Sequence, residues 1–372
     1  MSRQVPIALT LVAATLGLLQ PAGAQQVERY VFTAERVAVY DLAGEIRVEP
    51  GTGKDLVVEV TRSGRDAARL TIERGPIMDF ETLRVVYPED EIVYPLLSRG
   101  SSSTFRVLAD GTFGDDHEHD RARGHDRRRG RREGRGRWEG REITIHGSGS
   151  GLEAHADLRI LVPEGARIAV HVGVGKAAVS NVNGEISVDA ASAPVTAQGV
   201  RGLLNIDVGS GSVSATDVQA DLSIDTGSGD VELARVHGRD LSVDTGSGRV
   251  TATDVTADRA SLDTGSGDVR LSQVRGAELH FETGSGDVDV DLASEARSMS
   301  VETGSGNVLL RVPDTLGATI DVDTGSGGVE TDLPMQVQRW SKDHFTGRLG
   351  DGSGRIDVET GSGRVKLVKR SQ

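Results

Sequence analysis

Carboxylates recur along this chain at an almost constant interval. Asp225, Asp244, Asp263, Glu282, Glu302, Asp323 and Glu359 each stand directly before Thr-Gly-Ser-Gly, and Asp230, Asp268 and Asp287 directly after it. Two neighbouring rows of carboxylate oxygens are the chemistry of a hard cation such as Ca²⁺, which takes several oxygen ligands. The second row is interrupted by Arg249, Asn307, Gly328 and Arg364, and the nine-residue Gly/Asp repeat of Ca²⁺-binding coils is absent. A solvated acidic face that keeps the protein in solution is therefore the preferred reading. Ca²⁺ stays the one ion the rows could take, and no other cofactor is expected. Glycoside cleavage needs a single carboxylate pair in unequal surroundings. A repeated row offers many equivalent carboxylates, so no catalytic, cofactor-binding or metal-binding residue is assigned and the chain is not expected to be an enzyme.

Three histidines, His117, His119 and His125, lie close to Asp116 and Asp120. These are metal-ligand types, but in a charged stretch with almost no apolar residues, read as disordered, they point to weak adventitious binding. The run Arg127-Arg128-Arg129-Gly130-Arg131-Arg132, followed by Arg135-Gly136-Arg137, suits an anionic polymer, a contact with the protein's own acidic rows, or a solvated loop. The Gly-Ser-Gly strings are not phosphate loops, because no Gly-Lys-Ser/Thr follows and no helix is signalled after them. Only 6 Phe, 4 Tyr and 2 Trp occur, too few for an aromatic platform that stacks bases or sugars. With no Cys, disulfides, thiol chemistry and Cys-ligated metal are excluded.

The elements that hold these residues form an internal repeat. Gly-Ser-Gly begins at Gly209, Gly227, Gly246, Gly265, Gly284, Gly304, Gly325 and Gly361, in steps of 18, 19, 19, 19, 20, 21 and 36. Ala191-Ser192-Ala193 and Gly173-Val174-Gly175 extend the series backward. In each repeat apolar residues alternate with polar ones, as in Leu222-Ser223-Ile224-Asp225-Thr226 and Asp230-Val231-Glu232-Leu233. Period two means half-buried strands. One such turn cannot bury its own apolar side, whereas stacked turns share a core. The expectation is an all-β, single-chain β-solenoid of about 18–21 residues per turn, with two or three flat faces, glycine corners and an inward ladder of Thr226, Thr245, Thr264, Thr283, Thr303 and Thr324. Stacked threonine and corner serine hydroxyls are expected to satisfy one another.

Residues 1–24 read as a signal peptide: Arg3, an apolar run from Ile7 to Leu19, and Pro21-Ala22-Gly23-Ala24 as the cleavage site. Residues 25–157 read as an irregular β-rich region, either a degenerate start of the coil or its cap, and Asp41–Val48 echoes Ser180–Val188. Residues 110–142 read as a disordered charged insertion, and 158–372 as the regular repeats. Met335–Trp340 breaks the repeat and suggests a protruding loop or a cap, with Trp340 as its anchor.

The recurring Asp/Glu-Thr-Gly-Ser-Gly-Asp-Val pattern, at Asp225–Val231, Asp244–Val250, Asp263–Val269, Glu282–Val288 and Glu302–Val308, resembles the bacterial adhesin-labelled family of β-strand-repeat proteins (DUF4097-type). Gly352–Leu367 is similar to that family's closing turn. The resemblance implies an extracytoplasmic β-solenoid and little about activity. The functional expectation is a secreted, non-enzymatic structural or adhesin-like protein of the periplasm or cell surface. It would meet an envelope or extracellular polymer or protein, without specific nucleic acid and with no transmembrane segment in the mature chain. Two alternatives stand beside it: an envelope-stress or regulatory accessory protein that binds a protein partner through 110–142 or 334–350, and an exported carbohydrate-active enzyme.

Overall fold

The computed structural model describes residues 27–114 and 140–370. The signal-peptide reading, the His cluster and the Arg-Gly run fall outside them. The flanks of the expected insertion are structured. Phe113 is buried, and residues 140–142 belong to the strand Gly140–His146.

The chain winds as a parallel β-solenoid. Strands Val213–Ser228, Val231–Thr245, Val250–Thr264 and Val269–Thr283 pair parallel, each with the next. Leu222, Leu241, Ala260, Leu279 and Met299 fall in one column, and Ile224, Val243, Leu262, Phe281 and Val301 in another. These side chains are buried. Identical positions therefore meet in successive turns, and the core is a set of aliphatic columns along the axis.

Each turn has three bends, visible as slips in the inward alternation. Along Val231–Thr245, Val231 and Leu233 point inward, then Val236, then Leu241, Val243 and Thr245. The first slip comes where one residue takes a left-handed backbone, namely Asn181, Gly199, Asp217, Arg235, Asp254 or Gln273, with φ between 54° and 67°. A short polar or flexible residue tolerates this conformation and a β-branched one does not. The second slip carries the small-residue column Gly202, Ala220, Gly238, Ala257 and Gly276. Where the step lengthens from 18 to 19 residues, the extra residue is absorbed at this bend, between Val218 and Leu222. The strands on either side stay in register.

The third bend is Gly-Ser-Gly. A Cβ on Gly248, Gly267 or Gly286 would lie 1.7–1.9 Å from the carbonyl oxygen of the equivalent glycine one turn earlier. Only glycine permits that approach. The threonine before each corner is buried, but the expected hydroxyl-to-hydroxyl ladder does not form. Thr264 Oγ1 instead accepts the Gly267 N–H (3.1 Å) and donates to the Gly248 carbonyl of the previous turn (3.0 Å). Thr283, Thr303 and Thr360 repeat both bonds. Two backbone groups at a tight bend need partners more than the hydroxyls need each other. The corner serines are exposed.

Both ends of the coil are covered. At the N-terminal end Arg36–Pro50 stacks parallel on Arg167–Ser180, with Gly44 opposite Gly175 and not opposite Gly184, its counterpart in the sequence echo. Leu56–Ser63 runs antiparallel to His155–Val162, and Val27–Phe32 runs antiparallel to Leu56–Ser63. A small sheet of Glu91–Val93, Gly140–His146 and Ser102–Leu108 adjoins them. At the other end the hairpin Gln336–Trp340 and His344–Leu349 runs antiparallel over Ala318–Asp323. Its anchor is Phe345, which is fully buried, while Trp340 remains 56% exposed with its ring edge-on to Phe345 at 5.1 Å. Antiparallel strands of this kind cover the edges of Leu56–Ser63 and Ala318–Asp323, where another chain could otherwise add.

The last turns are not stacked in sequence order. Ser298–Thr303 pairs with Gly354–Thr360, which in turn pairs with Ala318–Asp323. Val308–Val312 pairs with Val365–Lys369, which pairs with Val329–Thr331. The C-terminal turn thus lies between the two turns that precede it, and the 36-residue step in the glycine series marks this interleaving.

The corner predicts a sharp contrast between neighbouring residues. Gly267→Ala should cost on the order of 3 kcal/mol through overpacking against backbone, and Thr264→Val about 1–3 kcal/mol through two orphaned backbone groups. Ser266→Ala should change little. Denaturant titration of the three variants checks the order, and equal effects at Gly267 and Ser266 would contradict the corner geometry.

Candidate functional site

The outward side of the strand before each Gly-Ser-Gly corner carries polar columns in the same register as the core. One column consists of acids alone: Asp189, Asp207, Asp225, Asp244, Asp263, Glu282, Glu302, Glu359 and Asp323, in that spatial order. Adjacent members are one strand spacing apart, about 4.8 Å, so the row extends about 40 Å. Seven of the nine were legible from the repeat. Asp189 and Asp207 were missed because Ala190 and Val208 replace the threonine that marks the other turns. The step of 18 back from Asp225 to Asp207 was the available signal.

Histidines flank the row. His171 Nδ1 lies 3.1 Å from Asp189 Oδ2, His280 lies 3.5 Å from Glu282, and His344 lies 3.8 Å from Asp323. The His171 ring stacks on Tyr40 at 4.2 Å, which closes the N-terminal end of the row. Asp244 and Asp263 hold their protons more tightly than ordinary carboxyls. Burial is the larger cause, and the neighbouring carboxylate, Asp263 or Glu282, is the second.

Two residues earlier on each strand runs a column of small hydroxyls, Ser223, Ser242, Ser261 and, past His280, Ser300. Two residues earlier again lies a column of mixed charge, Asp221, Asp240, Arg259, Glu278 and Ser298. The serines and the mixed-charge column line a shallow groove of about 930 Å³ that also reaches Leu203, Leu279 and His280; the acidic row runs beside it and does not line it. Charges in its far wall are paired: Arg259 with Asp240 at 2.5 Å, Arg297 with Glu278 at 2.9 Å, and Arg239 with Asp221.

The second acidic row has a different task. Asp230 accepts the backbone N–H of Arg249 (2.9 Å), Asp268 that of Asp287 (3.1 Å), and Asp287 that of Asn307 (2.8 Å). Asn307 accepts the N–H of Arg364 in the same way (3.0 Å). These side chains satisfy the first amide after each corner, one turn on. The column tolerates Asn because only an acceptor oxygen is required. The structure does not bring the two acidic rows together as one ligand set, and among the described residues no three His, Asp or Glu side chains converge on a point that could hold a metal ion.

A further carboxyl lies inside the coil. Asp41 is fully buried, accepts a 2.8 Å hydrogen bond from the Tyr87 hydroxyl, and is held well above the usual carboxylate range by burial. It occupies the inward column that Val172, Ala190, Val208 and Thr226 continue, so its role is in the core of the N-terminal turn.

A parallel coil with glycine corners and a repetitive acidic outer face defines a β-solenoid scaffold. The chain belongs to the Toastrack DUF4097 family, whose model matches residues 143–368. No curated protein matches it. A solved structure from Clostridium sporogenes, described as a "putative cell adhesion protein", aligns over 93% of this chain and 100% of its own, with 10% identity and a TM-score of 0.21. At that score the likeness carries no argument about this protein. No helix among the described residues is long and apolar enough to cross a membrane.

The raised carboxyls of Asp244 and Asp263 predict a pH-dependent gain on neutralisation. Their folded-state pKa exceeds the unfolded value, so their contribution to stability is complete below about pH 4 and is lost as pH rises through the folded pKa. Asp244→Asn and Asp263→Asn should therefore raise the melting temperature at pH 7 and leave it nearly unchanged at pH 3. Thermal melts at the two pH values decide it, and a loss of stability at pH 7 would contradict the carboxylate row.

Proposed function

We propose that this chain is an exported, non-enzymatic structural or adhesin-like protein of the cell envelope that engages its partner through the acidic face. The observation that carries this reading is the row of nine carboxylates in adjacent turns. Single exposed charges contribute little in salt. A rigid array at fixed spacing lets an extended cationic partner make many contacts at once, and each contact made raises the effective concentration of the next. Charge complementarity of this kind sets partner choice and association rate more than the strength of any one contact. The groove beside the row gives a polymer chain a place to lie, and its serine floor offers hydroxyls to hydrogen-bond. The apolar run Ile7–Leu19 followed by Ala22-Gly23-Ala24 supports export.

Repetition of the carboxylates argues against catalysis. Histidines touch Asp189, Glu282 and Asp323, Ser300 donates to Glu302 at 2.9 Å and the Gly325 N–H to Asp323 at 3.1 Å, and these scattered local contacts do not set up the acid–base pair that hydrolysis needs. A second reading, an accessory protein that binds another protein, draws support from the C-terminal hairpin, where Val337 and Trp340 are 53% and 56% exposed. Aromatic side chains are common anchors of protein interfaces.

Binding of the chain from residue 25 onward to immobilised polylysine, and its recovery of partners from envelope fractions, test the acidic-face reading. Asp225→Asn, Asp263→Asn and Glu302→Gln together should weaken binding at least tenfold and flatten its salt dependence. Trp340→Ala should leave it unchanged. The opposite pattern would transfer the partner site to the hairpin.

A further inference from the structure

The interleaved C-terminal turn fills a slot built from backbone edges and buried aliphatic columns, whose strands also carry Glu302, Glu359 and Asp323 of the acidic row on their outer side. The slot's two walls are the turns Ser298–Thr303/Val308–Val312 and Ala318–Asp323/Val329–Thr331, and Gly354–Thr360/Val365–Lys369 fills it. Inside the slot Gly361 N–H bonds Thr303 O (3.2 Å), Val308 N–H bonds Arg364 O (2.9 Å), and Val365 N–H bonds Gly328 O (3.0 Å). Ion pairs hold the outer end, Lys369 to Asp314 at 2.7 Å and Arg370 to Asp291 at 2.7 Å.

Two features mark this turn among the described ones. Its tether runs through Gly350 and Gly352, both left-handed at φ 58° and 71°, which is the conformational freedom of a hinge. Its walls are themselves consecutive in sequence, 21 residues apart at Gly304 and Gly325, close to the step at which other neighbouring turns stack directly. The filling turn must therefore enter between two turns already in place or nearly so, and until it does, both walls present unpaired strand edges.

We propose that this slot is an interaction site for a second copy of the chain, which donates its own Gly354–Lys369 turn while receiving its partner's. The donated segment makes the same backbone bonds, aliphatic columns and ion pairs as the resident one, so exchange costs little beyond association. Recognition is by strand addition on both edges, with specificity from alternate side chains: Ile356, Val358, Val365 and Leu367, all buried.

The absence of cysteine makes the test unambiguous. Ser300 and Asp357 are lateral neighbours, as are Asp357 and Asp321. Neighbouring turns are about 4.8 Å apart, within disulfide range, whereas Ser300 and Asp321, two turns apart at about 9.6 Å, are outside it. Full-length Ser300→Cys and Asp357→Cys chains are mixed, incubated near the unfolding midpoint, returned to native conditions and oxidised. Exchange yields a disulfide-linked heterodimer well above the random 1:2:1 proportion, and the excess is absent when the same two chains are mixed and oxidised without the incubation near the unfolding midpoint. A random mixture of surface-linked dimers would overturn the proposal. So would an internal disulfide in a Ser300→Cys/Asp321→Cys chain, because the slot would then be closed by direct stacking.

Discussion

Everything in this molecule depends on parallel backbones stacking in register at tight glycine corners. Once the second corner glycine of one turn rests against the carbonyl of the turn before, as Gly267 does against Gly248, the positions that follow are fixed. Threonine must then face inward to satisfy the corner's amide and the neighbouring carbonyl. The residue before threonine must face outward, and the residue before that inward again. Register is a stronger constraint in such a coil than in a compact domain, because a slip of one residue would turn a whole aliphatic column toward solvent.

That constraint converts a sequence repeat into a surface repeat. A single Asp before a single Thr-Gly-Ser-Gly is an ordinary exposed carboxylate. Nine of them, one per turn, become a row at strand spacing, and in Asp244 and Asp263 burial first and the neighbouring carboxylate second raise the affinity for protons. The fold accepts this repulsion although alternating charge was available, as the neighbouring column shows with Asp240 opposite Arg259 opposite Glu278. Two carboxylate rows flank the same corners yet do different work. One stays on the surface, while the other caps backbone amides one turn away. The Ca²⁺ reading treated them as one ligand set, a role for which residue type alone could not separate them.

Both ends of the coil are finished with antiparallel strands and aromatic residues. Phe345 seals one end, and Tyr40, Tyr87 and Phe113 cluster at the other. Aromatics are rare in this sequence, and among the described residues, apart from Phe281 in the coil's own core, they are concentrated where the aliphatic columns run out. The C-terminal turn adds a third device, since it fills the last gap from inside the stack rather than from its end.

From the sequence alone one could read the period, the inward and outward faces, the glycine corners and most of the acidic row, because each is a local property repeated many times. The strand phase of Leu222, Ile224 and Thr226 needs no partner to be recognised. At the left-handed bend Asn181, Gly199, Asp217 and Asp254 are types that tolerate positive φ, but Arg235 and Gln273 break the pattern, and what unites all six is a backbone angle. Tertiary structure alone decided that Glu359 sits beside Glu302 and Asp323 lies beyond it. Equal steps can specify which residues share a column, but not the order in which turns enter it, since every turn offers its neighbours nearly the same edge.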